Sequence, residues 1–113
     1  MEFEIQNETW TILEKPQEEF NKWNNSYDGV GHYYGQTHFA DKEIWLWEEC
    51  SINTKIKTLR HELMHVYIKE FITNEDLSYT EEMLCDICAN AFPFVDKVSS
   101  KYYGKKDRVC NGK

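Results

Sequence analysis

The sequence predicts an α+β fold: one domain over residues 1–113, with a small antiparallel sheet packed against three or four helices. Three observations carry this expectation. A chain of 113 residues holds one hydrophobic core and no more. The stretches Tyr33 to Phe39 and Glu43 to Trp47 are rich in aromatic and β-forming residues and flank Ala40-Asp41-Lys42, which reads as a hairpin. Residues 52–71 then switch to a helical period.

Taken in order, residues 2–6 suit a short strand. Residues 16–24 suit a first helix, with Pro16 in its first turn and Phe20 and Trp23 one turn apart. The stretch 24–31, NNSYDGVG, is a loop by composition. Both faces of the second hairpin arm are apolar over 44–47, which predicts a strand covered on both sides. In the 52–71 helix, Ile52, Ile56, Leu59, Leu63 and Val66 form one stripe, which Tyr67 and Phe71 extend, and Ser51 or Asn53 is placed to cap its start. Residues 73–78 form a loop. Ser78 and Glu81 have capping-box spacing for a helix over 79–92 that Pro93 ends, and a last helix over 94–103 stops at Gly104. There is no internal repeat and no low-complexity stretch.

The composition narrows the function classes. Hydrophobic residues make up 41% and charged residues 29%, the balance of a soluble globular protein. The net charge of −7 argues against a duplex nucleic-acid binder, although residues 101–113 carry four Lys and one Arg and are read as a solvated terminus. No apolar run is long enough to span a membrane, so no membrane partner is expected. The start, Met1-Glu2-Phe3-Glu4-Ile5, is acidic where a secretory signal is basic and then apolar, which points to the cytoplasm. There the four cysteines, 50, 85, 88 and 110, are expected as reduced thiols.

The chemistry sits in His61-Glu62-Leu63-Met64-His65, an H-E-x-x-H pattern inside the long helix. On a helix, positions 61 and 65 lie about 40° apart and one turn from each other, so two imidazoles can converge on one Zn²⁺ ion. Glu62 is rotated about 60° from His65. It stands beside the metal without displacing a histidine and suits a general base. A catalytic zinc site needs a third protein ligand and an open position. Glu82 is the expected third ligand. Asp86, four residues on and on the same face, is expected to accept the free N–H of a ligating histidine, His61 first. Asp86 as the direct ligand is the competing assignment, and Glu81 points elsewhere with a capping role of its own.

H-E-x-x-H followed by Glu82-Met83-Leu84-Cys85-Asp86 resembles the zincin metallopeptidases of the gluzincin type. With Thr58-Leu59-Arg60 before it, the segment is similar to small zincin-like proteins of phages and prophages, in outline the ImmA/IrrE-type metallopeptidases. The resemblance covers about residues 33–92. It implies a minimal zincin-like domain with the H-E-x-x-H helix central, a single Zn²⁺, and hydrolysis of a peptide or protein substrate. It also implies an edge strand before that helix able to hold an extended chain. Tyr67, Tyr79, His38 and a C-terminal Tyr are the open choices for stabilising an oxyanion. Three other readings compete: a catalytically silent zincin-like module that binds a host or phage protein, a purely structural metal, and a cysteine–zinc or redox site at Cys85-x-x-Cys88. For that pair the plainer expectation is small buried hydrophobes.

Overall fold

A computed structural model describes residues 1–24, 34–72 and 80–110, with side chains throughout these except at 23, 24 and 105–110. The fold is α+β, and its described elements run β1 (Glu2–Ile5), β2 (Glu8–Lys15), α1 (Gln17–Asn24), β3 (Gly35–His38), β4 (Glu43–Trp47), α2 (Ile52–Phe71) and α3 (Glu81–Cys110). The strands form one sheet in the order β1-β2-β4-β3. The expected hairpin is present as β3 and β4, paired antiparallel with Gly35 opposite Leu46 and Thr37 opposite Ile44. The sheet is mixed rather than purely antiparallel, because β2 and β4 run parallel, with Ile12 beside Ile44.

The strand β2 is the element the sequence reading passes over. It turns back from β1 through Gln6 and Asn7, both with positive φ (50° and 64°), a two-residue hairpin turn whose twist matches that of the strands. Neither residue is glycine, so the usual sequence signal is absent. Alternation then sends Trp10 and Ile12 to the buried face with Phe3 and Ile5 of β1 and with Ile44 and Leu46 of β4. β4, as expected, is covered on both sides. Ile44 and Leu46 are buried in the main core, and on the opposite face Trp45 is buried against Phe20 of α1 and stacked on His38.

Helix α2 has the expected bounds, and Ser51 is its cap: the Thr54 amide donates to Ser51 Oγ at 3.2 Å. Leu59, Leu63 and Val66 are fully buried, Ile52, Ile56 and Tyr67 are half-buried, and Phe71 is exposed. Beyond α2 the fold departs from expectation. The two predicted helices over 79–92 and 94–103 are one continuous helix, α3, with Pro93 and Gly104 inside it. Pro93 has no N–H to give to the carbonyl of Ala89, and Ala89 is an exposed residue. The stripe Ala91, Val95, Val98 and Tyr102 keeps its helical period across the proline and joins the core, so packing outweighs the local breaker. The Thr80 hydroxyl takes the capping bond from the Met83 amide at 3.1 Å. Ser78 and the predicted loops 24–31 and 73–78 lie outside the described residues, apart from Asn24.

Helices α2 and α3 cover one face of the sheet. They run antiparallel, with Arg60 reaching Ser99 and Tyr67 against Phe94, and Phe94 in turn meets Phe3 of β1. No helix among the described residues is long and apolar enough to cross a membrane.

Candidate metal centre

The site is built from the solvent-facing flank of α2 and the inward face of β3. With Leu59, Leu63 and Val66 buried at 0% exposure, the helix rotation is settled, and His61 and His65 are turned outward one turn apart. Their Nε2 atoms are 3.2 Å apart, with the rings edge to face. Two nitrogens bound tetrahedrally to one Zn²⁺ at the usual bond length are about 3.3–3.4 Å apart. The pair therefore has the spacing of two ligands to one ion. In the metal-free chain the same spacing lets one imidazole donate to the other, and binding a metal through both Nε2 atoms would move that hydrogen to Nδ1.

Glu62 differs from its neighbours. Its side chain is 9% exposed where that of His61 is 71% exposed. Its Oε1 accepts a hydrogen bond from Thr37 Oγ1 at 2.8 Å, and its Oε2 lies 3.8 Å from His61 Nε2. His61, Glu62 and His65 are the one group of three ligand-type side chains among the described residues whose donor atoms lie within 4.8 Å of one another. The arrangement can hold a divalent cation between two imidazoles with a carboxylate beside it.

Glu82 and Asp86 are exposed on the first turns of α3 and outside that group. Their distance follows from the continuity of α3. Phe94 is level with Tyr67, and Glu82 precedes Phe94 by twelve residues, roughly 18 Å of helix. The start of α3 thus runs past the C-terminal end of α2, and every residue from 81 to 90 except Ile87 is exposed. Cys85 and Cys88 are among these, a correction to the expectation that they pack as small hydrophobes.

The oxyanion candidates are dispersed. Tyr67 is half-buried against Phe71 and Phe94. His38 is buried on the far face of the sheet, where burial lowers its pKa. Tyr102 is buried with its hydroxyl donating to Glu14 Oε2 at 2.9 Å. Burial first, and then that bond, push its pKa far above the ordinary phenol value. Tyr79 lies outside the described residues. The residue that sequence reasoning missed is Thr37. Its signal is faint: a threonine two positions after a glycine in a strand, in register to face the motif helix.

No family model, curated protein or solved structure matches this chain.

Proposed function

We propose that this protein is a zinc-dependent metallopeptidase of minimal zincin-like form. The observation that carries the reading is the pairing of two imidazole nitrogens 3.2 Å apart with a buried carboxylate oxygen 3.8 Å from one of them. His61 and His65 would hold the ion through Nε2. Bound there, Zn²⁺ would polarise a peptide carbonyl and bring the pKa of a coordinated water toward about 7. Glu62 supplies what the metal does not. Its Oε2 takes a proton from the attacking water and returns it to the leaving amine. A structural site has no use for a buried carboxylate in that place, which favours catalysis over the purely structural metal.

The third ligand is open: Glu82 and Asp86, the carboxylates that follow the motif, stand on the part of α3 that runs past the end of α2 and outside the His61–Glu62–His65 group. A carboxylate would complete a two-His set with the hardness zinc accepts, and Glu82 could supply it only if the start of α3 lay against the histidine flank of α2.

The test pairs metal analysis with turnover. Wild type and Glu62→Gln are loaded with zinc and given a casein peptide mixture. Both should carry the same zinc content, while hydrolysis in the variant falls by about 10²–10⁴-fold. Equal hydrolysis in the two rejects Glu62 as the base. Zinc retained without cleavage by wild type favours the silent binding module. In the same assay, Glu82→Ala decides the third ligand: a loss of zinc affinity of more than about 100-fold would assign it, against about 10–100-fold for a residue acting behind a ligand. Unchanged affinity removes Glu82 from the ligand set.

A further inference from the structure

We propose that Thr37 is a positioning residue for Glu62, one that divides the labour of the two carboxylate oxygens. The inference rests on the metallopeptidase reading and extends it to a residue outside the H-E-x-x-H motif. The Thr37 hydroxyl has one hydrogen. The Glu62 carboxylate Oε1 lies 2.8 Å from Thr37 Oγ1 and the Glu62 backbone carbonyl 3.4 Å, so the carboxylate is the better acceptor. With Oε1 anchored to β3, Oε2 is the oxygen left facing His61 Nε2, at 3.8 Å.

Three features make this bond directional. Glu62 is buried, so its carboxylate has little water to fall back on and a protein donor must take the place of solvent. Thr37 is β-branched and sits in a strand, which restricts χ1 and so the direction of its hydroxyl. Gly35, two residues earlier on the same face, brings the strand and helix together. A Cβ there would stand 2.5 Å from Thr58 Cγ2 and 3.4 Å from Glu62 Cγ. A glutamate side chain has three rotatable bonds, and without an anchor either oxygen, or neither, would face the histidines. An edge strand thus acts on the motif helix through one hydroxyl.

The experiment uses the full chain and two readouts. In the metal-free protein, the carboxyl carbon of Glu62 is followed by ¹³C NMR at fixed pH and assigned by its loss in Glu62→Gln. Thr37→Val should shift that resonance, and Thr37→Ser should return it toward wild type. In the zinc-loaded protein acting on a casein peptide mixture, Thr37→Val should lower kcat at least tenfold. KM and zinc affinity should stay within about threefold of wild type, and Thr37→Ser should recover most of kcat. Thr37→Ala, which also lacks the hydroxyl, replaces the valine variant if that chain does not fold. An unmoved Glu62 resonance overturns the proposal. So does a moved resonance with kcat unchanged, in a protein that Glu62→Gln inactivates. If Glu62→Gln is as active as wild type, or wild type cleaves nothing, it is the metallopeptidase reading that fails. The catalytic consequence of Thr37 falls with it, while the NMR arm still decides whether Thr37 orients the carboxylate.

Discussion

Glu62 and its two neighbours show how one helix assigns opposite environments to adjacent residues. At 100° per residue, a helix that buries Leu59, Leu63 and Val66 sends 61 and 65 outward and leaves 62 at the margin facing β3. The histidines keep access to solvent and metal, and the carboxylate is dried on one side. That arrangement depends on the closest approach of strand to helix at Gly35. Gly35→Ala places a methyl 2.5 Å from Thr58 Cγ2 and 3.0 Å from the Trp45 carbonyl, and the latter is backbone that cannot swing away. The expected cost is about 1–3 kcal/mol of overpacking, read as a lower urea midpoint. Because the strand must move outward, the Thr37–Glu62 bond should lengthen in a crystal structure of the variant.

At the scale of elements, α2 is the best-determined part of the chain and α3 the least anticipated. The start of α2 depends on a single hydroxyl. Ser51→Ala removes the acceptor for the Thr54 amide and should cost about 1 kcal/mol in chemical denaturation, with Ser51→Asp close to neutral. A residual cost under about 0.3 kcal/mol for the alanine variant would show that solvent serves the exposed amide equally well. In α3, the proline and glycine that read as stops are absorbed. A Cβ at Gly104 would meet nothing within 4 Å, and the turn at Pro93 gives up one backbone bond while keeping Ala91 and Val95 in the core. Local rules for helix ends weigh about 3 kcal/mol for an interior proline. Burial of several apolar side chains on either side, at about 1.5–3 kcal/mol each, exceeds that.

In the whole molecule, a polar clamp joins the layers at the end of the sheet. Glu14, on the inward face of β2, accepts from Lys55 of α2 at 2.8 Å and from Tyr102 of α3 at 2.9 Å. The phenol remains a donor across the ordinary pH range because burial and the carboxylate hold its proton. Tyr102→Phe keeps the ring in the core but takes one donor from a carboxylate that is only 20% exposed. The expected loss is about 1–3 kcal/mol, since the acceptor is charged, read as a lower denaturation midpoint at pH 7. Lys55 remains on the other oxygen, so a loss near zero would mean that the carboxylate is satisfied without the phenol.

The sequence by itself determined the class of fold, the bounds of α2, the hairpin that precedes it and the convergence of His61 and His65. Each of these follows from a period: two residues for a strand, 3.6 for a helix, four between histidines on one face. The tertiary structure alone decided the parallel pairing of β2 with β4, the passage of α3 through Pro93, the distance of Glu82 from the histidines and the bond from Thr37 to Glu62. These depend on which distant segments share a core, and no local spacing encodes that. A proline weighs against a helix until a buried stripe on both sides of it outweighs the missing bond. Likewise, a threonine in an edge strand is unremarked until a glycine two residues away lets a helix come close enough to receive its hydrogen.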